Sequence, residues 1–366
     1  MPHTAYILHA LRLARRNLGL TAPNPSVGCV IVKDGAIVGR GWTAAGGRPH
    51  AETLALEQAG AAARGATAYV TLEPCCHHGK TPPCTNALIR AGIAEAVIAV
   101  RDPDPRVSGK GIAALEGAGI TVTENVCRAE AAEVNAGFFL RIREGRPLVT
   151  LKLALTGDGR LSPEFGVQSS EFRKYAARLE SRASLVPRSG LGSSSRQSSR
   201  EGSEQNYIFT SPEARTYAHL LRYRHEAILV GSGTVFADDP ELTCRLAGMA
   251  HGSPRRFVLD RRHRTPEHAR CQPCTVLDAP DILTSLRRIA GAGINRILAE
   301  GGAEIALVLL EAGLVDRLVL IEAPEVRGDA HAPDMGAALP KFLPHFRLES
   351  ERRLGTDRVR VYALSS

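Results

Sequence analysis

Two stretches decide the fold of the N-terminal half: Pro49-His-Ala-Glu52 and Glu73-Pro-Cys-Cys-His-His-Gly-Lys-Thr-Pro-Pro-Cys84. Together they supply one imidazole and two thiols, from His50, Cys75 and Cys84, near the ends of predicted helices and strands. This donor set suits zinc, and three protein ligands leave a fourth tetrahedral position open for water. An open position is typical of a catalytic metal site, so the sequence predicts metal-assisted chemistry.

Glu52 lies two residues after His50 and therefore on another face of the predicted helix start. From there its carboxylate can reach water at the metal rather than the metal itself. A glutamate so placed can shuttle protons while water attacks an amidine-like ring carbon and ammonia leaves. The combination of H-x-E with a paired P-C and Cys is typical of zinc deaminases, although eight residues separate these cysteines instead of two. The pattern predicts hydrolytic deamination.

Other cysteine and histidine residues offer alternative metal ligands. Cys76, His77 and His78 lie inside the second stretch, and we interpret them as loop residues. His268 with Cys271 and Cys274 could form a second cluster, but it lacks a fourth ligand at zinc spacing. We therefore interpret that cluster as structural or accidental.

Helical and strand-like patterns alternate along the whole chain, which predicts an α/β fold. We expect a first domain over 1–145 and a second over 146–366, with a polar linker at 141–147. The segment 185–205 is rich in Ser and Gly and nearly free of apolar residues, so it is predicted to be a mobile loop.

The composition limits the class of partner. The 366 residues contain 46 Lys and Arg against 38 Asp and Glu, a formal charge of +8 that favours anionic partners. Only 5% are aromatic, which favours phosphorylated metabolites over nucleic acid. Apolar runs such as 305–314 are too short to cross a bilayer. The eight irregularly spaced Cys favour a reducing compartment, so we expect a cytoplasmic protein. We also expect a homo-oligomer that binds neither membrane nor nucleic acid.

Further stretches of the N-terminal half resemble a known family. They are the long loop between the paired cysteines, Ala22-Pro-Asn-Pro-Ser-Val-Gly28, Gly65 to Cys75, and Asp102-Pro-Asp-Pro105 with Gly109-Lys-Gly111. This half resembles the pyrimidine deaminase of the bifunctional deaminase-reductases of riboflavin biosynthesis. The resemblance implies a cytidine-deaminase-like three-layer fold with Zn²⁺, the pyrimidine bound by Asn24 and the ribose phosphate by Lys80. Thr43 stands where most relatives have His.

The C-terminal half resembles the reductase of the same family. Its glycine turns, Gly231 to Thr234 and Glu300 to Gly302, follow predicted strands and could receive phosphates, although such turns alone are common. The resemblance implies a dihydrofolate-reductase-like α/β fold with NADPH over Thr234, Gly301 and Gly302. It also implies a pocket for a phosphoribosyl substrate, lined by Lys152, Thr210, Arg222, Asp238, Leu242, Arg245 and Glu300.

The function that the resemblance implies has two steps. Zinc-dependent deamination of 2,5-diamino-6-(5-phosphoribosylamino)pyrimidin-4(3H)-one comes first, and NADPH then reduces the ribosyl group to a ribityl group. Lys152 or Asp238 is the candidate for proton transfer during reduction. One alternative is a deaminase with an impaired reductase half, because Thr156-Gly-Asp-Gly159 departs from the usual Ser-Leu-Asp-Gly. A zinc deaminase fold acting on nucleic acid is the other.

Overall fold

The computed structural model of the chain describes residues 2–79, 81–161, 210–326 and 334–365. These residues form one five-stranded and one eight-stranded sheet, both packed against helices. The predicted α/β class is therefore confirmed. Among the described residues, no helix has the length and apolar character needed to cross a membrane.

The first sheet has the strand order β2-β1-β3-β4-β5. Strand β1 pairs antiparallel with β2 and β3, whereas β3, β4 and β5 are parallel. The elements of this half are α1 (Pro2–Ala14), β1 (Gly28–Lys33), β2 (Ala36–Trp42), α2 (Ala51–Ala59), β3 (Thr67–Val70), α3 (Cys84–Arg90), β4 (Glu95–Ile98), α4 (Lys110–Gly117), β5 (Thr121–Glu124), α5 (Arg128–Val134) and α6 (Ala136–Glu144).

Two glycines of β2 determine how closely α2 approaches the first sheet. A Cβ atom at Gly41 would lie 2.0 Å from the carbonyl oxygen of Ala51, and one at Gly39 would lie 2.1 Å from that of Ala55. Because only glycine permits this contact, α2 packs directly on the strand. Its N-terminus is thereby held against the sheet.

Helix α6 corrects the predicted linker at 141–147. The helix continues to Glu144 and ends at Gly145, whose φ of +69° favours glycine. Buried Phe138 and Phe139 hold it against the first core, so the polar residues from Arg141 onward lie on a helix. The domain boundary after residue 145 stays a prediction, and the predicted loop at 185–205 lies outside the described residues.

The second sheet has the order β12-β13-β11-β6-β10-β7-β8-β9. Strands β11, β6, β10, β7, β8 and β9 are parallel, and β13 and β12 add an antiparallel edge. The elements of this half are β6 (Leu148–Leu155), α7 (Pro212–Tyr223), β7 (Ala227–Gly231), α8 (Ser232–Asp238), β8 (Arg255–Leu259), β9 (Thr275–Leu277), α9 (Ile282–Gly291), β10 (Arg296–Ala299), α10 (Ala303–Glu311), β11 (Arg317–Glu322), α11 (Met335–Ala338), β12 (Phe346–Leu354) and β13 (Asp357–Leu364).

The strand order creates a crevice in the second sheet. The chain leaves β6 and returns as β7, and the later strand β10 fills the position between them. In open parallel sheets, ligands bind outside the carboxyl ends of the strands where the order reverses in this way. The carboxyl ends of β6, β10 and β7 are therefore the expected place for a ligand.

Candidate active sites

The three predicted zinc ligands lie together in the first half. His50 precedes α2, Cys75 lies in the loop between β3 and α3, and Cys84 begins α3. The Nδ1 atom of His50 is 3.3 Å from the Cys84 sulfur and 3.7 Å from the Cys75 sulfur. All three candidate ligand atoms lie within 4.8 Å of one another. One imidazole and two sulfurs at this spacing fit a zinc ion.

The buried carboxylate of Glu73 fixes the loop that carries Cys75. Its Oε1 atom accepts the backbone N–H of Gly111 at 2.9 Å, and its Oε2 atom accepts that of Gly109 at 3.0 Å. The carboxylate therefore holds the Cys75 loop to the N-terminus of α4. In addition, the backbone N–H of Cys84 points at the Cys75 sulfur from 3.4 Å. A helix N-terminus donating to sulfur favours the thiolate form that binds metal.

The electrostatics of this cluster suit hydrolysis near neutral pH. Hydrogen bonds from Cys84 and His50 oppose burial and lower the pKa of Cys75 to about 4. Burial, together with the negative Cys75 sulfur, raises the pKa of Glu52 to about 7. A carboxyl group with such a pKa can both accept and release a proton at physiological pH.

A cavity of about 260 Å³ opens beside Glu52 and His50. Asn24 lines it, donates to the carbonyl of Gly47 at 2.7 Å, and places its amide nitrogen 3.3 Å from His50 Nε2. Thr43 also lines the cavity, so the residue that replaces the expected His is part of the wall. The predicted phosphate contact Lys80 lies outside the described residues.

Several polar residues of this cavity were not assigned a role from the sequence. They are Arg48, Asp102, Asp104, Arg106 and Arg141. The motif Asp-Pro-Asp-Pro was a usable signal for the two acids, of which Asp104 binds Arg106 through both carboxylate oxygens. No local signal marks the arginines, because they come from separate loops and from α6.

The alternative metal ligands take no part in the cluster. Cys76 hydrogen-bonds weakly to the carbonyl of Arg106 at 3.7 Å. Cys271 is fully buried in a small apolar core, and His268 is exposed. In the part of the chain that the structure describes, only His50, Cys75 and Cys84 form a metal-binding group.

The second half contains a buried charge cluster at the predicted crevice. Glu300 follows β10 and accepts two hydrogen bonds from Arg222, at 3.0 and 2.7 Å. The Nζ atom of Lys152, on the central strand β6, is 3.8 Å from the same carboxylate. The three side chains are only 2–3% exposed. The structure therefore brings together three residues that are far apart in the sequence.

Burial and charge pairing compete in this cluster. Burial lowers the pKa of Lys152 to about 8, although the Glu300 carboxylate opposes the change. Burial alone would raise the pKa of Glu300, but Arg222 and Lys152 outweigh it and lower that pKa to about 2. Lys152 is thus a cation at neutral pH that gives up its proton more readily than an exposed lysine. This property suits a proton donor.

The other predicted substrate residues surround the cluster. A small cavity of about 40 Å³ is lined by Thr210, Arg222 and Arg245. His219 also lines it and was not assigned from the sequence; burial and the neighbouring arginines lower its pKa to about 4. A neutral His219 leaves three arginines, Arg215, Arg222 and Arg245, as the positive groups of this cavity.

Leu242 and Asp238 lie on the segment from α8 toward β8. The Leu242 side chain is fully buried in an apolar core, and its predicted contact with the substrate stays a prediction. Its φ of +57° marks a sharp turn of the backbone. Asp238 is the last residue of α8 and is half-buried. The proton-transfer role of Asp238 stays a prediction.

The predicted cofactor residues border a larger cavity of about 650 Å³. Thr234 and Gly302 line it, and the Gly302 N–H donates to the Thr234 hydroxyl at 3.2 Å. A Cβ atom at Gly301 would lie 2.9 Å from that hydroxyl, and its φ of +143° also requires glycine. Because no atom lies within 4 Å of a Cβ built at Gly302, the backbone there is open to a phosphate. This cradle fits a nicotinamide dinucleotide.

Comparison with known proteins agrees with this arrangement. Residues 1–100 match the family described as the cytidine and deoxycytidylate deaminase zinc-binding region, and residues 192–359 match the RibD C-terminal domain. The riboflavin biosynthesis protein RibD of Aquifex aeolicus is 43% identical over 265 residues, which are 72% of this chain and 64% of that protein. The chain thus spans slightly less than two thirds of the Aquifex relative.

Two further matches extend over nearly the whole chain. RibD of Bacillus amyloliquefaciens is 36% identical over 96% of this chain and 94% of its own length. A solved structure of Acinetobacter baumannii RibD superposes with a TM-score of 0.82 at 32% identity, covering 100% of this chain and 99% of that one. The predicted pairing of a cytidine-deaminase-like domain with a RibD reductase domain is confirmed, and the chain belongs to the RibD family.

Proposed function

We propose that the chain is a bifunctional enzyme of riboflavin biosynthesis. It hydrolyses an amino group of 2,5-diamino-6-(5-phosphoribosylamino)pyrimidin-4(3H)-one and then reduces the ribosyl group to give 5-amino-6-(5-phosphoribitylamino)uracil. Zn²⁺ held by His50, Cys75 and Cys84 would supply Lewis acidity, and NADPH beside Thr234, Gly301 and Gly302 would supply hydride. The location in the cytoplasm and a homo-oligomeric state are part of the same proposal.

In the deamination, Glu52 moves the protons. Its carboxylate takes a proton from the attacking water as the new C–O bond forms. The same group then gives a proton to the departing nitrogen as the C–N bond breaks and ammonia leaves. Asn24 and the other lining residues orient the pyrimidine, and cationic Arg48 favours a phosphorylated substrate, whereas Arg106 is paired with Asp104.

In the reduction, the ribosyl ring must first open to an imine. The proton of the glycosidic nitrogen moves to the ring oxygen, which leaves a C1′=N bond that can accept hydride. Hydride adds to C1′ and a proton adds to nitrogen, giving a secondary amine. We assign the donation of that proton to Lys152, because its ammonium is buried beside Glu300 and its pKa is lowered to about 8. Arg222 and Arg245 are the candidates for binding the phosphate.

One observation carries the proposal. His50, Cys75 and Cys84 lie together at a cavity, beside a buried Glu52 whose pKa is raised to about 7. The test measures ammonia release, NADPH oxidation and bound zinc in Glu52→Gln and Lys152→Met. Glu52→Gln should retain zinc and reduction of deaminated substrate, but lose ammonia release by about 100-fold or more. Lys152→Met should retain zinc and ammonia release but lose the reduction of deaminated substrate.

Two results would change the proposal. Undiminished ammonia release in Glu52→Gln would remove the deaminase assignment. A wild-type protein that releases ammonia but cannot reduce deaminated substrate with NADPH would support the alternative of an impaired reductase half.

A further inference from the structure

Three arginines lie across the 650 Å³ cavity from the backbone of Gly231–Thr234 and Gly302, which we call the cofactor cradle. One wall is formed by the segment Gly231–Thr234 and by Gly302, and the opposite wall by the loop that follows β8. That loop contributes Arg261, Arg262 and Arg264 to the lining. The cavity therefore has a backbone cradle at one side and a concentration of positive charge at the other.

The residue between β8 and this loop is an acid, Asp260. In dinucleotide-binding sheets, an acid after a neighbouring strand binds the ribose 2′-hydroxyl and disfavours a 2′-phosphate, whereas an arginine accommodates that phosphate. From the sequence alone, Asp260 would indicate NADH. Its side chain, however, is fully buried.

The buried carboxylate of Asp260 is saturated by its own loop. One oxygen accepts the backbone N–H groups of Arg264 and Thr265, both at 2.6 Å, and the Thr265 hydroxyl at 2.8 Å. The other oxygen accepts the backbone N–H of Arg262 at 3.3 Å. The acid shapes the loop and is not available to a ribose. It thereby turns a chain segment with three arginines toward the cavity.

The arginines differ in their surroundings. Arg264 is half-buried, donates to the Ser232 hydroxyl at 3.1 Å and lies over the Phe236 ring, so it ties the loop to the cradle. Arg261 and Arg262 are exposed at the rim, and within the described ranges neither guanidinium forms an ion pair.

Two acids also line this cavity. Asp281 caps α9 by accepting the N–H and the hydroxyl of Thr284, both at 2.7 Å, which occupies both of its oxygens. Glu304, in the first turn of α10, is the second acid. The lining thus holds three arginines and three acids, Asp260, Asp281 and Glu304, so its formal charges cancel. Arg261 and Arg262 nevertheless follow each other in one loop at the rim, and two neighbouring guanidinium groups suit a phosphate dianion.

We propose that Arg261 and Arg262 bind the 2′-phosphate of the nicotinamide dinucleotide and so select NADPH over NADH. This inference rests on the proposed reductase function and adds the residues that discriminate between the two cofactors. Arg264 is a positioning residue that holds the loop against Ser232.

The test is equilibrium binding of NADPH and NADH to the full-length protein, followed by the fluorescence of the reduced nicotinamide. In the Arg261→Gln/Arg262→Gln variant, we expect the Kd for NADPH to rise at least about tenfold, because charge-assisted hydrogen bonds are lost. The Kd for NADH should change by less than about threefold. Arg287→Gln removes an exposed charge from α9 outside the cavity lining and should alter neither value.

Each outcome separates the inference from the proposed function. If wild-type protein binds NADPH and the double variant keeps the same NADPH-to-NADH preference, the inference is overturned and the reductase proposal stands. If the wild-type protein binds neither nucleotide, the reductase proposal fails and this inference fails with it. Adenosine 2′,5′-bisphosphate should displace NADPH from the wild type and lose at least about tenfold in affinity in the double variant.

Discussion

In the Glu300→Gln variant, the buried cations Lys152 and Arg222 lose the carboxylate that they share. The Lys152 ammonium lies 3.8 Å from this carboxylate. At an effective dielectric constant of about 20, that separation corresponds to about 4 kcal/mol, or roughly 3 pKa units. The pKa of Lys152, already lowered to about 8 by burial, should therefore fall to about 5. At pH 7 the variant would carry a neutral lysine.

The assay is the pH dependence of kcat/KM for NADPH-dependent reduction. Because Lys152 must be protonated to donate, wild-type activity should decline as the pH rises through about 8, and activity of the variant should decline through about 5. Ammonia release by the same preparation should be unchanged, since the zinc site is in the other half. If the alkaline decline stays near pH 8 in the variant, Lys152 is not the titrating group and the reasoning is wrong.

Glu322→Gln is the matched control. Glu322 also accepts two hydrogen bonds from an arginine, Arg360, at 2.8 and 2.6 Å. It lies on β11 of the same sheet but is about a quarter exposed, so its loss should cost at most about 1 kcal/mol. Loss of Glu300 should destabilise the fold by about 3–5 kcal/mol, because it leaves the buried Arg222 cation unpaired. The pH profile of Glu322→Gln should match the wild type.

The same lysine makes wild-type stability depend on alkaline pH. Its folded-state pKa of about 8 lies below the ordinary value of 10.5, so the unfolded chain binds more protons between these values. The contribution of Lys152 to the free energy of unfolding should therefore rise from pH 8 to 10.5 by up to about 3 kcal/mol. Denaturant titrations give the free energy of unfolding of wild type and Lys152→Met at each pH. The difference between the two slopes against pH is the contribution of Lys152, and equal slopes would contradict the assignment.

Three further perturbations test how the sites are positioned. Gly41→Ala should lower the free energy of unfolding by about 1–3 kcal/mol in denaturant titrations, because its Cβ would lie 2.0 Å from the Ala51 oxygen. Gly117→Ala is the control: no atom lies within 4 Å of its Cβ, so it should not be destabilising. Asn295→Ala should raise the KM for deamination about fivefold through loss of its hydrogen bond to the Asn24 carbonyl, while reduction in the same protein stays unchanged. Chelation of zinc should abolish ammonia release and leave NADPH binding intact, as read by nucleotide fluorescence; loss of both would contradict independent sites.

The zinc site could be predicted from the sequence because its chemistry is locally encoded. His50 and Glu52 lie in one helical turn, and Cys75 and Cys84 are joined by a single loop. One His and two Cys at these positions, with a Glu beside the His, are typical of a metal site. The surrounding arginines carry no such signal, because an arginine pattern looks the same on a solvated surface and at a phosphate.

Two elements of the second half have no usual periodic pattern in the sequence. Strand β12 is exposed on both faces, so its charged residues show no alternation of apolar and polar side chains. Helix α8 begins with Ser232-Gly-Thr234, which predicts a turn because small residues favour loops. In both cases, pairing with a neighbouring strand or packing on the sheet outweighs the local preference.

The position of Asp260 shows why the sequence alone does not reveal which residues contact the ribose 2′-position of the cofactor. An acid after a strand predicts a ribose contact by position alone, yet four hydrogen bonds to its own loop turn this one inward. Whether the carboxylate contacts the ribose or bonds to its own loop depends on the conformation of that loop. Only coordinates show that the arginines, and not the acid, face the cavity.

Strand β10 connects the two sites through a short, rigid path. At its N-terminal end, the Asn295 amide donates to the Asn24 carbonyl at 3.2 Å and accepts from Arg141 at 2.6 Å, so it contacts the deaminase cavity wall. Five residues later, Glu300 enters the reductase cluster, which at about 3.3 Å per residue places it about 17 Å away. Because β10 is buried and hydrogen-bonded on both edges, it fixes the distance between these two ends. Asn295 of the second half therefore supports two residues, Asn24 and Arg141, that line the deaminase cavity.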